Sequence, residues 1–390
     1  MRFVLFFLAF TTLYGALHAY AFIKARHAFS LGVGGHVFLG LYMLFMVFCP
    51  VFVRLLERAG IESVARSLAF AGYLWMGILF LFISSSFVID VYRLLAHLVV
   101  LIFQREGSSW WAISPGGAFY IALVVSVVTA AWGMLEAGRI RSEHITIRSS
   151  KIPESIDRVR IVQISDVHLG LIVREGRLEK ILRKVKEAEP DVLVSTGDLV
   201  DGQTNDLSKM AEMIRKIPAK YGKFAVTGNH EYYAGLKRSL AFTEAAGFSI
   251  LRGKGVQVGG LIQVVGVDDP AGKRFGLKSV VSEEDLLSGL KKQSFTLLLK
   301  HRPLVNQKSS GLFDLQLSGH AHKGQIFPFS LIIKTLYPID AGLLALEKGG
   351  HLYVSRGTGT WGPPMRFLAP PEVTVIDLVH LEEKSSSWQS

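Results

Sequence analysis

The stretch LSGHAHKGQ, residues 317–325, places two histidines on either side of one alanine, after a glycine and an apolar run. Imidazole nitrogens are common metal ligands, so His320 and His322 could bind a metal ion. Two histidines in an ordinary surface loop would look the same. The interpretation therefore depends on whether other metal-binding side chains occur at comparable places in the sequence.

Four further motifs supply such side chains, and each follows a segment predicted to be a β-strand. They are Asp166-Val167-His168, Gly197-Asp198 with Asp201 nearby, Gly228-Asn229-His230-Glu231, and a lone His301. Each motif alone is explained as well by a turn or a capped strand. Together they place five of the twelve histidines at predicted strand ends beside aspartate or asparagine, which unrelated turns do not explain.

The chemistry of these side chains limits the metal. Carboxylate, amide and imidazole ligands without a thiolate suit manganese, iron, zinc or magnesium. A carboxylate between two such ions can bridge them at a metal–metal distance of roughly 3.5–4 Å. We therefore predict two divalent ions at the strand ends.

Alternating strands and helices must position these motifs. Residues 159–164, 191–196 and 223–227 read as buried strands separated by amphipathic helices, a pattern typical of a parallel sheet. Later strands without long helices predict a second, more antiparallel sheet, at 256–258, 261–267, 295–300, 314–318, 351–356 and 372–378. Ligands of open α/β sheets bind at the carboxyl ends of the strands, where the motifs lie.

Residues 1–138 are predicted to form a transmembrane region, because a helix that crosses a bilayer needs roughly 20 mostly apolar residues. The four spans are 1–23, 33–53, 68–88 and 118–135. The first could be a signal peptide, but its length and the lack of a small-residue cleavage site favour an uncleaved helix. Residues 94–103 are too few to span and are expected to lie in the interface or to extend the third helix. A linker over 139–156, a soluble domain over 157–380 and a flexible tail over 381–390 are predicted to follow.

The charge distribution indicates partners. The net charge of +11 is spread over both halves, without the dense basic block or interleaved aromatic residues that favour nucleic acid. It suits membrane lipids and a phosphate-containing substrate, and no protein partner is evident. A small excess of arginine on one side of the predicted helices places the soluble domain in the cytoplasm, in a multi-pass protein of the inner (plasma) membrane.

The motif order D-x-H, G-D-x-x-D, G-N-H-E, a lone histidine and G-H-x-H resembles the calcineurin-like metallophosphoesterases over residues 157–380. The segment VSRGTGTWGPPMRFLAPPEVTVIDL, 354–378, is similar to a bacterial branch that carries an N-terminal membrane anchor or export signal. The resemblance implies an α/β four-layer sandwich, two mixed sheets flanked by helices, behind about four transmembrane helices. It also implies an enzyme that hydrolyses a phosphoester or pyrophosphate bond through a metal-bridging hydroxide.

The resemblance assigns roles to nine residues. One ion would be bound by Asp166, His168 and His322, the other by Asn229, His301 and His320, and Asp198 would bridge them. His230 would stabilise or protonate the leaving oxygen, and Asp201 would orient His230 by accepting its other N–H. Manganese is the expected metal, with iron, zinc and magnesium as alternatives.

Two questions stay open at this point. The apolar stretch 326–338 is either a core strand or a lipid-facing lip beside the site. Lys323, where the branch usually has glycine, is either a phosphate contact or a solvated loop residue. Gly202 stands where superfamily members that act on phosphoproteins carry an arginine, which counts against a phosphoprotein.

The predicted substrate is a lipid-linked phosphoester or pyrophosphate, because the domain is attached to a membrane, the chain is basic and the apolar stretch lies nearby. One related branch cleaves UDP-2,3-diacylglucosamine in lipid A synthesis, which is a more specific alternative. A metal-binding membrane protein that signals or scaffolds without turnover is the alternative of a different class. The complete ligand set favours an enzyme.

Overall fold

The computed structural model describes residues 2–103, 113–202, 207–276 and 281–381, and the chain divides into two compact units. The first unit contains residues up to Leu135 together with the segment Gly362–Phe367. The second contains Glu136–Trp361 and the chain from Leu368 onward. Apart from Leu381, the predicted flexible tail over 381–390 lies outside the described residues.

Four helices form most of the first unit. They are α1 (Arg2–Ala28), α2 (Val33–Arg58), α3 (Glu62–Phe103) and α4 (Pro115–Ala137). Helices α2, α3 and α4 are long and apolar enough to cross a membrane, and α1, with 27 residues, occupies the first predicted span. Residues 94–103 extend the third helix, which was one of the two alternatives for them.

Polar side chains join helices within this unit. Trp75 on α3 donates from Nε1 to Nε2 of His18 on α1 at 2.9 Å. Lys24 on α1 pairs with Asp90 on α3, which also accepts from the hydroxyl of Tyr20 at 2.7 Å. Because an unpaired charge is costly among apolar helices, these partners stabilise the packing of α1 against α3.

The segment Gly362–Phe367 packs against α3 and α4 at two glycines. The N–H of Arg366 donates to the carbonyl oxygen of Gly133 at 2.9 Å. A methyl group at Gly77 would lie 2.6 Å from Cε of Met365, so a larger residue there would force the methionine side chain to shift. Met365 and Arg366 are fully buried as a result. Their place in the helical unit is not apparent from the sequence.

Two six-stranded sheets form the second unit. The first has the order β1-β12-β2-β3-β4-β5, and the second has the order β10-β11-β9-β8-β7-β6. In chain order the strands are β1 (Arg141–Ser149), β2 (Val159–Ile164), β3 (Val192–Ser195), β4 (Lys223–Ala225), β5 (Ser249–Ile250), β6 (Lys254–Val258), β7 (Ile262–Gly266), β8 (Phe295–Leu299), β9 (Leu315–Ser318), β10 (Gly342–Ala345), β11 (His351–Val354) and β12 (Glu372–His380).

The second sheet is antiparallel only at its two edges, among the described pairings. Strands β10 and β11, and likewise β6 and β7, are antiparallel, whereas β7, β8, β9 and β11 run parallel. The first sheet has one antiparallel pairing, β12 with β2. The second sheet was expected to be more antiparallel than the first. It has two antiparallel pairings against one, so this difference is small. The β7–β8 crossover contains a 3-10 turn and the six-residue α9 (Glu283–Ser288), too short for a helical sequence pattern.

The predicted linker over 139–156 is wrong in its central part. Residues 141–149 form strand β1, which pairs in parallel with β12 along nine residues. Ile147 is buried and Ile145 packs against the core between the sheets. The partner strand lies more than 200 residues away in the sequence, so no local pattern identifies the pairing. Only three residues, 138–140, separate the end of α4 from β1.

Helices cover the outer face of each sheet, giving the four layers that the resemblance implies. Helices α5 (Glu175–Glu187), α6 (Ser208–Arg215) and α8 (Leu236–Ala245) contribute apolar side chains to the core of the first sheet. Between the sheets, Ile161 and Val194 share one core with Leu297 and Leu317. On the second sheet, α9 and α10 (Phe329–Leu336) contribute Leu287 and Ile333. Each such buried side chain stabilises the fold by about 1.5–3 kcal/mol.

Residues 326–338 do not form a core strand. The stretch contains α10, whose apolar side chains are mostly exposed, and among its described residues Ile326 and Ile333 are the buried hydrophobic ones. The sequence alternative of a strand in the core is therefore excluded.

Candidate metal centre

The parallel strands bring the predicted ligands to one edge of the sandwich. Strands β2, β3 and β4 are neighbours in the first sheet, and β8 and β9 are neighbours in the second. Their carboxyl ends lead directly into the loops that contain Asp166 and His168, Asp198, Asn229 and His230, His301, and His320 and His322. Asn229 and His230 begin the short helix α7 (Asn229–Ala234). Sheet topology therefore gathers residues that are up to 156 positions apart in the sequence.

The first ligand group consists of Asp166, His168 and His322. Nε2 of His168 lies 3.1 Å from Nε2 of His322, and Nε2 of His322 lies 3.4 Å from Oδ1 of Asp166. All three side chains are buried. Two imidazole nitrogens and a carboxylate oxygen converging at these distances form a ligand set of the type that binds a divalent ion.

The second group consists of Asp198, Asn229, His301 and His320. Nε2 of His301 lies 3.2 Å from Oδ2 of Asp198, 3.3 Å from Oδ1 of Asn229 and 3.1 Å from Nδ1 of His320. Nδ1–H of His301 donates to the carbonyl oxygen of Thr196 at 2.8 Å, which directs Nε2 into the site. Oxygen and nitrogen atoms with lone pairs thus face one another. A bound cation stabilises such an arrangement, so this group of residues fits a metal ion.

Asp198 lies between the two groups. Its Oδ2 is 3.9 Å from Nε2 of His168 in the first group and 3.2 Å from Nε2 of His301 in the second. The structure therefore brings together all seven predicted metal ligands, with the predicted bridging carboxylate at the centre.

Electrostatics at the site favour bound positive charge. Burial lowers the pKa of both His168 and His320 to about 3, so these imidazoles are neutral and each offers a lone pair. Burial alone would lower the pKa of His301 as well, but the charges of Asp198 and Asp166 and the hydrogen bond to Asp198 together outweigh burial and raise that pKa to about 10. The carboxylates thus stabilise a cation at this position, and a metal ion can replace the proton.

The backbone at the site is strained. Five of the seven ligands adopt left-handed conformations, with φ between 49° and 67°: Asp166, His168, Asp198, His320 and His322. Such a conformation costs a non-glycine residue roughly 1–3 kcal/mol and persists where the surrounding structure enforces it. Tight turns at the strand ends thus aim the ligand side chains inward.

Two glycines next to ligands are required by close approach. A methyl group at Gly228 would lie 2.1 Å from Oδ1 of Asp198, and one at Gly319 would lie 2.2 Å from Oδ2 of Asp166. Each contact is far shorter than any van der Waals distance. Glycine directly before Asn229 therefore leaves room for the carboxylate of Asp198, and glycine directly before His320 leaves room for that of Asp166.

His230 and Asp201 form the predicted pair beside the ligands. Nδ1–H of His230 donates to Oδ1 of Asp201 at 2.9 Å, and the His230 ring contacts the His168 ring edge-on at 4.6 Å between centroids. Burial alone would lower the pKa of His230, but Asp198 and Asp201 outweigh it and raise that pKa to about 9. The protonated imidazole can donate a proton to an oxygen in the site.

Glu231 ends the motif Gly228-Asn229-His230-Glu231 and had no role in the predicted site. In the structure it is a positioning residue. Its buried carboxylate accepts from the N–H of Gly228 and of Leu199, each at 2.7 Å, and from the N–H of Asp198 at 3.0 Å. Burial and the charge of Asp198 raise the pKa of Glu231 to about 7, whereas the N–H donors oppose this rise. Glu231 thereby ties the Asp198 loop to the loop of Asn229.

We expect Glu231→Gln to weaken metal binding about 10- to 100-fold, because an amide NH₂ would face one of these N–H donors and loosen both ligand loops. Titration of metal-free protein with Mn²⁺ measures the change. Glu244→Gln, on the exposed surface of α8, is the matched control and should bind metal like the wild type. Unchanged affinity in the Glu231 variant would show that the carboxylate does not position the ligands.

Exposed aromatic side chains surround His230 on its solvent side. Tyr233 and Trp361 contact the His230 ring edge-on, at 5.5 and 5.6 Å between centroids. The Phe275 ring lies 6.2 Å from that of Tyr233. We name these three residues the aromatic rim. They are far apart in the sequence and share no motif, so sequence analysis did not identify them.

An ion pair between Arg302 and Asp269 lies beside His301 and was not predicted from the sequence. Nε of Arg302 donates to Oδ2 of the buried Asp269 at 2.7 Å. Burial lowers the pKa of Arg302, but Asp269 outweighs burial and raises it, so the guanidinium stays charged. In the sequence, the one indication that Arg302 lies near the site is its position directly after His301.

A four-layer α/β sandwich with carboxylate, amide and imidazole ligands at its strand ends belongs to the class of metal-dependent hydrolases. Residues 159–324 match the calcineurin-like phosphoesterase family. A metallophosphoesterase of Aquifex aeolicus is 39% identical over 66% of this chain and 98% of its own length. One of Campylobacter jejuni is 29% identical over 86% of this chain and 90% of its own length.

A further relative, from Danio rerio, bears the name transmembrane protein with metallophosphoesterase domain. It is 30% identical over 71% of this chain and 67% of its own length. The chain belongs to the calcineurin-like phosphoesterase family and is a metal-dependent phosphoesterase with membrane-spanning helices at its N-terminus. The predicted family, enzyme class and fold are thereby confirmed.

Proposed function

We propose that this enzyme hydrolyses a phosphoester or pyrophosphate bond of a lipid-linked substrate, using two divalent ions with manganese preferred. The position of Asp198 between the two ligand groups is the observation that supports two ions most directly, because one carboxylate can serve both. When bound, such ions lower the pKa of a coordinated water molecule and neutralise phosphate oxygens.

The residues of the chain would contribute binding, orientation and proton transfer. Asp198 would fix the spacing of the two ligand groups, and the strained loops would hold the ligands in place. His230 would protonate the leaving oxygen from its Nε2, because its Nδ1–H is held by Asp201. The charges of Asp198 and Asp201 stabilise the protonated imidazole, and a cation bound nearby would lower the pKa of His230.

Three features support a lipid-linked substrate. The aromatic rim places exposed apolar surface on the side where the leaving group would depart. Helix α10 exposes further apolar side chains, and Tyr337, directly after this helix, contacts His320 at 5.9 Å between ring centroids. The enzyme also has membrane-spanning helices and a net charge of +11, which attracts anionic headgroups. A role like that of UDP-2,3-diacylglucosamine pyrophosphatases is a specific case of this proposal.

An activity screen of detergent-solubilised full-length protein tests the substrate. The panel should include lysophosphatidic acid, phosphatidylglycerol phosphate, an isoprenoid diphosphate, UDP-2,3-diacylglucosamine and the water-soluble bis-p-nitrophenyl phosphate, each with Mn²⁺, Zn²⁺ or Mg²⁺. We expect kcat/KM to be highest for a lipid phosphate with Mn²⁺. A preference for the soluble diester would contradict the lipid substrate. No turnover of any substrate by fully metallated protein would favour the scaffold alternative.

We further propose that the phosphoesterase domain faces the cytoplasm of the inner membrane, following the excess of arginine on that side of the predicted spans. Reporter fusions at the C-terminus and after Gly60, between α2 and α3, should both show a cytoplasmic signal. A fusion after Ser30, between α1 and α2, should show the opposite signal. A C-terminal reporter that is active outside the cytoplasm would refute this orientation.

A further inference from the structure

Helix α10 exposes apolar side chains where a surface helix normally exposes polar ones. Leu331, Ile332 and Leu336 are 56%, 52% and 59% exposed, and Ile333 is the residue of the helix that is buried against the domain. Lys334 on the same helix is also exposed, and its ammonium group lies 4.0 Å from the carboxylate of Asp340. A helix with this composition is typical of elements that lie in a membrane interface.

The ends of α10 are fixed to residues around the metal centre. Shortly before the helix, Nε2 of Gln325 donates to the carbonyl oxygen of Trp361 at 2.8 Å, and the N–H of Trp361 donates back to Oε1 of Gln325 at 2.9 Å. Directly after the helix, the ring of Tyr337 contacts that of His320 at 5.9 Å. The exposed apolar surface is therefore adjacent to the centre.

Short chain connections link the phosphoesterase domain to the helices that can cross a membrane. Trp361 and Leu368 are both exposed, and they flank the segment Gly362–Phe367 that belongs to the helical unit. The four Cα-to-Cα steps from Ala137, at the end of α4, to Arg141, at the start of β1, extend roughly 14 Å at most, at about 3.5 Å per step. A membrane crossed by α2–α4 is thus joined to this domain through a short covalent connection.

We propose that α10, together with Trp361 and Leu368, docks into the interfacial layer of the bilayer that its own helices cross. The partner is a phospholipid surface, and the docking places the opening of the metal centre at headgroup level. Tryptophan suits this layer because its ring is apolar and its N–H is polar. This inference goes beyond the proposed function, because the domain would dock whether or not its substrate is a lipid.

Spin labelling of the full-length protein tests the docking. Cys49 is the one cysteine of the chain, so a Cys49→Ala background allows a single nitroxide at Leu331→Cys or Leu336→Cys. The proteins are reconstituted into phosphatidylcholine–phosphatidylglycerol vesicles, and power saturation with oxygen and with a Ni²⁺ chelate on both sides of the membrane gives the depth. We expect both labels to lie roughly 5–10 Å below the headgroup surface.

Two comparisons make the result decisive. A label at Lys216→Cys, at the end of α6 and 73% exposed in its side chain, should remain fully accessible to the Ni²⁺ chelate. Adding Leu331→Ser and Ile332→Ser should move the Leu336→Cys label out into water. Labels on α10 that are as accessible to the chelate as Lys216→Cys would overturn the proposal. Labels shielded from oxygen as well as from the chelate would also overturn it, because protein rather than lipid would then cover the helix.

The same variants separate docking from substrate choice. With docking confirmed, loss of α10 insertion should raise KM for a vesicle-embedded lipid phosphate and leave the turnover of bis-p-nitrophenyl phosphate unchanged. If the labels lie in the bilayer but no lipid phosphate is hydrolysed, the docking stands and the proposed lipid substrate is wrong.

Discussion

Asp198→Ala is expected to remove both metal ions and to reduce phosphoesterase activity to background. Asp198 is the ligand that lies between the two groups, at 3.9 Å from His168 and 3.2 Å from His301. Without its charge, no carboxylate would remain in the second group, and Asp166 would be the one carboxylate left in the first group. Elemental analysis of purified full-length protein should find two divalent ions per chain in the wild type and none in the variant.

The control for this experiment is Asp201→Asn, three residues further along the same loop. Asp201 contacts His230 and belongs to neither ligand group, so its variant should retain both ions. Circular dichroism should show that both variants are folded. An Asp198→Ala protein that still contains two ions would show that Asp198 does not bridge them. A folded wild type with less than one ion per chain would contradict the two-ion site itself.

Metal ligands were predictable because the signal is local. Each predicted ligand lies within a few residues of a strand end, and glycine stands directly before Asp198, Asn229 and His320. Strands of one parallel sheet end at the same edge, so a list of strand-end residues is also a list of neighbours. This rule covers the predicted ligands after β2, β3 and β4 in the first sheet, and the family resemblance implied those after β8 and β9 in the second sheet.

The other features of the site depend on contacts between distant parts of the sequence. The edge strand β1 is recognisable only from its pairing with β12, which lies at the far end of the domain. The aromatic rim is assembled from a helix, a 3-10 turn and a loop, with Tyr233 and Trp361 meeting only at His230. Sequence periodicity describes one element at a time, so it identifies neither.

Helix α10 illustrates a third limit. An apolar run is compatible with a buried strand or with a helix whose partner lies outside the domain, and composition alone does not distinguish the two. The structure excludes the strand, and the exposed leucines and isoleucine then require a partner.

His230→Ala is expected to retain both metal ions yet to lower kcat about 10²- to 10⁴-fold, the usual contribution of a general acid. The imidazole is held by Asp201, and the carboxylates around it favour its protonated form. The loss should be large for alkyl or sugar leaving groups, which must be protonated to depart. It should be small for p-nitrophenolate, which leaves as a stable anion.

Neighbouring substitutions should fail in different ways, and this difference distinguishes proton transfer from metal binding. Asn229→Ala removes an oxygen ligand 3.3 Å from His301 and should reduce occupancy of the second ion. Asp201→Asn should resemble a milder His230 defect with full metal content, because the imidazole would keep its place but lose a stabilising charge. Metal content and leaving-group dependence should be measured for all three variants. A His230→Ala enzyme without its metals, or one equally slow with every leaving group, would show that His230 acts as a ligand or as a structural residue and not as the acid.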